Sequence, residues 1–512
     1  MRSTFHSIET AKRSLFTEQA NISTTGHNIA NANTPGFSRQ RVNLVASRPI
    51  EAPGYMRTNI PGQLGTGVEF TSITRVREKF LDDQFRNANR SLGEWSIQSD
   101  TLSKLETVFN EPSDSGVRTV MDNFWKSWTD LSKDPESITG RKIVRENALA
   151  LVDAMNETSK HLTDLQADLT SNITTKTEQI NSISKSVADL NLEIKRLEAY
   201  GDNPNDLMDE RDYLVDQLSK MVNVTVVNTA DGYDLTVGAG ITLVNGFNAP
   251  GTTAQALEDQ LNGNGVVGGE IEGLIVSRDR ILTDYKSQLD AMADTLVNGE
   301  ITVTIPKGST YNGTQLQDDT TVTVKGINGL HKLGFLFNTP PNAPVQAGDI
   351  FVTSDGSTTV TAENIKLSQD IINDPMNIAT SLRTEVINGS LETIKGNNTL
   401  ANMMAGLKET QFQFSPVASQ NGITAGTLDE FYASMIGQLG LQAQEADRQA
   451  TNQQDITTQV DSRRQSVSGV SLDEEMSELI KFQHAYSAAA RFMTTIDETL
   501  DKVINGMGVV GR

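Results

Sequence analysis

Residues 152–197 read VDAMNETSKHLTDLQADLTSNITTKTEQINSISKSVADLNLEIKRL. Positions 152, 155, 159, 162, 166, 169, 173, 176, 180, 183, 187, 190, 194 and 197 form an unbroken series, spaced by three and four in turn. Eleven of the fourteen are apolar; Ser159, Gln166 and Lys176 are not. That spacing keeps one narrow stripe on one side of a helix, facing a partner. At 1.5 Å per residue, the 46 residues make a rod of roughly 69 Å. Ordinary globular helices seldom run so long, so the stretch predicts an elongated, coiled-coil-like rod. Gly201 suits the left-handed residue that closes a helix, and a further helix is expected from about Asp206.

Upstream, the first helix candidate covers residues 4–31. Ile8, Leu15, Ile22 and Ile29 recur every seven residues, which again holds one stripe against a partner helix. Asn33-Thr34-Pro35-Gly36-Phe37 ends it: Pro35 excludes Thr34 from the helical region, and Pro-Gly fits the centre of a type II turn. Residues 40–75 read as extended. Helical pattern returns near residue 76, and the three tryptophans (Trp95, Trp125, Trp128) mark a core. Asp134-Pro135-Glu136 predicts a helix start, with Asp134 as cap.

Downstream, residues 222–245 switch to strand pattern, with a hairpin turn at Asp231-Gly232. Residues 271–297 read as helix. Residues 299–365, rich in Thr, Val and Asn-Gly pairs, read as a β-rich insertion, and 376–412 are mixed. From 427 to 505 the chain is helical again. It opens on a capping box, Thr427-x-x-Glu430, and its last helix on a second, Ser471-x-x-Glu474. Leu472, Glu475, Leu479, Phe482, Tyr486, Ala489, Met493, Ile496, Leu500 and Val503 carry a 3,4 series broken only by Glu475. The simplest fold pairs the first and last helices as a coiled coil. The fold class is therefore mainly α with a β-rich inserted outer domain. The expected domains are a terminal assembly domain (1–75 with 468–512), a helical rod domain (76–222, 266–298 and 396–467), a β-hairpin region (223–265) and the outer domain (299–395).

Composition narrows the function. The chain has 512 residues and no cysteine, which excludes disulfides, thiol catalysis and thiolate metal sites. Its net charge of −22 argues against nucleic acid and anionic membranes, which reward clustered Lys and Arg. The charge is uneven: residues 1–90 hold 12 Lys/Arg and 7 Asp/Glu, and the remainder carries −27. The N-terminus lacks the apolar core of a secretory signal, and no run is long enough to span a membrane.

No catalytic, cofactor or metal motif emerges. There is no P-loop, no dinucleotide fingerprint and no H-E-x-x-H. The five histidines are scattered and read as surface or packing residues. The acids Asp202, Asp206, Asp209, Glu210 and Asp212 lack a calcium loop's spacing and central glycine; helix N-terminal acids account for them more simply. The expectation is a non-enzyme without cofactor. Two readings stay open for the terminal stripes, since isolated helices are marginal in water. Either they order only when neighbouring subunits cover them, or they form an ordinary intramolecular pair.

Residues 20–44, ANISTTGHNIANANTPGFSRQRVNL, resemble the N-terminal signature of flagellar rod, hook and hook-associated proteins. The resemblance rests on Asn28, Asn31, Asn33, Thr34, Pro35, Gly36 and Phe37. Residues 466–506, 206–226 and 268–296 are similar to the hook-associated FlgK family, while 299–326 look like extra material before Asn328-Gly329-Leu330-His331. The resemblance implies a structural, extracellular subunit of the junction between hook and filament. It implies export without a cleaved signal, through the flagellar type III apparatus, and terminal segments that are unordered in the monomer and pair in the assembly. The implied partners are further copies of itself, the hook protein, the next hook-associated junction protein and an export chaperone holding the C-terminal helix. The expected assembly interface is Ile8, Leu15, Ile22, Ile29, Leu472, Leu479, Phe482, Tyr486, Met493, Ile496 and Leu500. The alternatives are another axial protein (hook or distal rod) and, further off, a coiled-coil surface adhesin.

Overall fold

A computed structural model of the chain describes residues 5–48, 65–111, 116–238, 240–263, 265–337, 342–387, 389–414 and 423–506. In chain order it begins with α1 (His6–Ala30), the antiparallel strands β1 (Gln40–Ala46) and β2 (Val68–Arg75), α2 (Lys79–Phe109) and α3 (Val117–Lys133). The rod helix α4 (Ile138–Ala199) has 62 residues, longer than the stripe required. Along it Val152, Met155, Ser159, Leu162, Leu169, Ile173, Ile180, Val187 and Ile194 are buried. Asp134-Pro135-Glu136 is not its start: Asp134 closes α3, and the cap is Ser137, whose Oγ accepts from the Gly140 N–H at 3.2 Å. The helix ends as its glycine predicts. Gly201 has φ +91°, its N–H donates to Glu198 O and that of Asp202 to Leu197 O, which satisfies the last carbonyls.

Next come α5 (Asn205–Met221) and the meander β3 (Val224–Thr229), β4 (Gly232–Val237) and β5 (Ile241–Val244). The first hairpin turns on Ala230 and Asp231, and Gly232 opens β4 at φ +109°. After α6 (Ala254–Asn262), the helix expected at 271–297 is present as α7 (Gly269–Val276) and α8 (Thr283–Asn298), joined by a wide π-turn over Ser277–Leu282. The β-rich stretch holds β6 (Glu300–Ile305) paired with β9 (Thr320–Lys325). Between them β7 (Thr310–Tyr311) and β8 (Thr314–Gln315) close on Asn312-Gly313, both at positive φ. Then follow α9 (Gly326–His331), β10 (Phe351–Thr353), β11 (Ile365–Leu367), α10 (Gln369–Asn373), β12 (Thr384–Ile387), β13 (Ser390–Thr393) and α11 (Thr399–Gly406). Strands β14 (Phe412–Gln413) and β15 (Ala425–Gly426) lead into α12 (Leu428–Ser468) and α13 (Leu472–Gly506). The first capping box forms in both directions: Thr427 N–H donates to Glu430 Oε2 (2.9 Å) and Glu430 N–H to Thr427 Oγ1 (3.1 Å).

The chain divides into two compact units. One comprises residues 1–94, 174–272 and 451–512; the other comprises 95–173 and 273–450. The second unit has a single apolar core in which Phe124, Trp128 and Leu151 join Ile301, Ile327 and Phe351, so its strands and helices share one interior. His331 is fully buried there. Its Nδ1 lies 2.7 Å from Gly348 O and its Nε2 accepts from the Ala379 N–H at 2.9 Å, which suits a neutral ring; burial holds its pKa down at about 4. The first unit contains the first and last described helices, α1 and α13.

Candidate functional site: the terminal helix pair and its clasp

The helix-ending motif forms a clasp. Phe37 N–H donates to Thr34 O (3.2 Å), and Gly36 sits at φ +81°, as a type II turn requires. A Cβ on Gly36 would stand 2.7 Å from Tyr213 Cβ of α5, so glycine is needed for conformation and for clearance. Asn31 donates to His27 O (3.1 Å) and accepts from Thr34 Oγ1 (3.1 Å), tying the turn to the end of α1. Phe37 packs edge-on to His27, while Asn33, Thr34 and Pro35 are exposed. Asn28 is buried. Its Oδ1 accepts from Gln40 N–H (2.9 Å) and its Nδ2 donates to Gln40 O (2.9 Å), as a neighbouring strand would. The same Nδ2 donates to Glu475 Oε2 of α13 at 3.0 Å.

Glu475 explains the polar place in the C-terminal stripe. It is 1% exposed, and it receives Arg39 Nε at 2.6 Å as well as Asn28. Arg39 also reaches Glu474 (3.2 Å) and Glu478 (3.7 Å), and its N–H donates to Ser468 O (2.8 Å) at the end of α12. The second capping box is therefore not formed: Glu474 turns to Arg39 instead of back to Ser471. A buried carboxylate with two donors fixes geometry, because few alternative placements satisfy it.

From this clasp α1 and α13 run antiparallel and pack along each other. On α13 Ile496 and Ala489 are buried; Leu479, Phe482, Met493 and Leu500 are half-buried; Leu472 and Tyr486 are exposed. On α1 Ile8, Leu15, Ile22 and Ile29 are all half-buried. The best-covered face of α1 is polar instead: Thr17, Asn21, Thr24 and Asn28. On the same side, Arg13 meets Ser47 and Glu69 of the β1–β2 hairpin. Apolar periodicity could not reveal this second face, since threonine and asparagine carry no hydrophobic signal. The exposed large apolar residues Phe16, Met476, Ile480 and Phe492 were likewise missed, because they stand beside the series.

Beneath the clasp lies a buried cluster of four arginines and four aspartates. Arg75 contacts Asp209 and Asp212 (both 2.8 Å), Arg77 contacts Asp82 (2.8 Å), and Arg86 contacts Asp216 (2.8 Å). Arg464 of α12 closes it on Asp216 and lies 3.9 Å over the Phe85 ring. Asp209 Oδ2 also accepts the Ser38 N–H at 2.8 Å. The acids of α5 are thus not helix-end decoration: Asp209 and Asp212 face inward and meet arginines from distant segments. Burial disfavours each charge, yet Arg77, Arg75 and Arg86 outweigh it and hold the Asp212 carboxyl down at about 2. Arg77 and Arg86 are held above their usual range despite their own burial, chiefly by Asp212 and Asp216.

Among the described residues no group of three His, Asp or Glu side chains could hold a metal, and no helix is long and apolar enough to cross a membrane. The geometry is that of a packed helix pair with part of its apolar surface exposed. The "Flagellar hook-associated protein FlgK helical domain" family matches residues 102–314. The "Flagella basal body rod protein" family matches 8–37, and the "Flagellar basal body rod FlgEFG protein C-terminal" family matches 462–506. The Flagellar hook-associated protein 1 of Bacillus subtilis (strain 168) is 36% identical over 100% of both chains. Those of Salmonella typhimurium (25%) and Escherichia coli K12 (26%) align over 97% of this chain and 99% of theirs. The solved structure of the flagellar hook junction protein FlgK from Burkholderia pseudomallei shares the fold, with a TM-score of 0.52 at 14% identity, covering 75% of this chain and 100% of that one.

Proposed function

Because this chain belongs to the flagellar hook-associated protein 1 (FlgK) family, and is thereby a structural component of the bacterial flagellum, we propose that it forms the junction between hook and filament and assembles through its terminal helices. The observation that carries this is the α1–α13 pair. It is closed within one chain, yet it leaves Phe16, Met476, Ile480 and Phe492 near half exposure. Apolar surface concentrated on one helix pair marks a contact site. The seam residues (Ile8, Leu15, Ile22, Ile29, Leu479, Phe482, Met493, Ile496 and Leu500) hold the pair together. Leu472 and Tyr486, exposed in the single chain, are left for neighbours.

The finer roles follow from this reading. The partners are further copies of the chain, the hook protein and the next junction protein. Export proceeds through the flagellar type III apparatus, and a chaperone covers α13 beforehand. Residues 1–75 and 468–512 serve assembly, and 299–395 form the outer part. Deleting residues 473–512 should leave a folded, soluble chain that attaches no filament. Filaments attached in such cells, counted by electron microscopy, would overturn the proposal. Leu479→Asp should weaken both filament attachment and chaperone affinity; an unchanged affinity by calorimetry would remove α13 as the chaperone's site.

A further inference from the structure

The second unit has an open cavity beside the β12–β13 hairpin, with a volume of about 460 Å³. Pockets of roughly 300–1,000 Å³ are the size that takes a small ligand. Three segments distant in sequence form it. The β7–β8 hairpin, within the extra stretch 299–326, supplies Gln315. The segment after α9 supplies Phe335 and Gln346, and the β12–β13 hairpin supplies Glu385, Val386 and Leu391. The base is tied down. Thr310 N–H donates to Leu382 O (2.7 Å), Thr384 N–H donates to Thr310 Oγ1 (3.0 Å), and the two buried hydroxyls lie 3.0 Å apart. Phe335 N–H donates to Ser381 O (3.0 Å), and the same residue bridges to Gln346.

The lining selects the chemistry of a ligand. No lysine, arginine or histidine lines the cavity, and the neighbouring Arg383 turns to Gly308 O at 2.9 Å, so a phosphate, sulfate or carboxylate finds no counter-charge. Glu385 is the one charged lining residue, beside the amides of Gln315 and Gln346 and the hydroxyls of Thr310 and Thr384. The rim groups keep free capacity. Gln315 Nε2 donates to Gly308 O (3.2 Å), which leaves its amide oxygen, and among the described residues neither the Gln346 amide nor the Glu385 carboxylate has a partner. Val386 and Leu391 stand opposite each other across the hairpin, 69% and 45% exposed, as an apolar wall. An extended peptide would instead add to β12 as a strand, which takes a run of outward backbone groups. Ile394 N–H donates to Arg383 O, so Arg383, Glu385 and Ile387 pair toward β13, while Leu382, Thr384 and Val386 point outward. Thr310 holds the first two of these. Val386 alone is left, too little for a strand.

We propose that this cavity binds a neutral hexose ring of a glycan. Planar amides and a carboxylate suit neighbouring hydroxyls, because each offers hydrogen-bonding sites side by side. Gln315, Gln346 and Glu385 take the hydroxyls of the ring, and its C–H face rests on Val386, Leu391 and Phe335, where burial of apolar surface adds to affinity. Such a ring belongs either to the wall polysaccharide of the cell that bears the flagellum or to a soluble glycan outside it. The site lies wholly within the second unit and does not depend on the assembly reading above.

Saturation-transfer NMR on the full-length chain reads this. Free glucose, galactose, mannose and N-acetylglucosamine are offered at millimolar concentration, and purified wall polysaccharide and soluble mucin glycans are offered in separate arms that distinguish the two sources. At least one hexose should show transfer, and Gln346→Ala and Glu385→Ala should each lower it several-fold. Both side chains are exposed, so both variants should fold, with thermal midpoints unchanged from the native chain. No transfer from any sugar overturns the proposal. Transfer undiminished in either variant places the sugar elsewhere and overturns it too. Capture of an extended peptide from a displayed library, abolished by the same substitutions and with no sugar bound, overturns the ligand class.

Discussion

At the scale of single residues, the clasp and the buried histidine make the sharpest predictions. Gly36→Ala places a Cβ against Tyr213 at a backbone angle that L side chains rarely adopt. It should cost about 2 kcal/mol, seen as a lower urea midpoint for the first unit. Glu475→Gln keeps the shape but offers one acceptor oxygen in place of two, so that either Arg39 Nε or Asn28 Nδ2 loses its buried partner. It should cost about 1–3 kcal/mol and raise amide exchange in the first turns of α13, with little change in the second unit. His331 gives a pH signature. Its pKa is about 4 in the folded chain against an ordinary value near 6.5, so the unfolded chain takes up the proton first. Stability is complete above pH 6.5 and falls as pH drops toward 4, by about 3 kcal/mol in all. His331→Gln should flatten that slope in denaturant titrations across pH; an unchanged slope would assign it to other groups.

At the scale of elements, α13 has a covered side and an open one. Ile496 and Ala489 are buried, while Met476 and Ile480 are about half exposed. Substitutions should therefore separate. Ile496→Asp should loosen the pair in the isolated chain, read as faster proteolysis of both ends. Met476→Asp should leave the isolated chain intact and reduce only assembly. The same logic explains α1, whose polar Thr-Asn face meets the hairpin while its apolar stripe stays half-covered. Helix α4 is covered more widely: over residues 152–197 nine of its fifteen buried residues lie on the stripe, and the rest flank it. Asn191, which lies off the stripe, is buried because it binds Tyr233 O (2.9 Å) and Gly246 O (2.7 Å) of the β3–β5 sheet.

At the scale of the whole molecule, each unit has its own anchor, ionic in the first and apolar in the second. Removing one partner from the arginine–aspartate cluster leaves uncompensated buried charge, at a cost of about 3–5 kcal/mol. Asp212→Ala should thus lower one calorimetric transition, and His331→Gln the other. A single transition shifted equally by both would show that the units do not unfold separately. The cluster also ties the ends of the chain to the body, since Arg75, Arg77 and Arg464 all reach the aspartates of α2 and α5.

The sequence alone determined the elements whose causes are local. The 3,4 series of α4, the glycine that ends it, the Pro35-Gly36 turn, the Thr427–Glu430 box and the apolar stripe of α13 each depend on residues within a few turns of one another. Local sterics and periodicity suffice for those. Only the tertiary structure decided why Glu475 interrupts its stripe, why Asp209 and Asp212 are buried, and which face of α1 is covered. Their partners, Arg39, Asn28, Arg75, Arg77 and the β1–β2 hairpin, lie far off along the chain. The energy of a buried charge is set by what stands 3 Å away in space, and that no reading along the chain can supply.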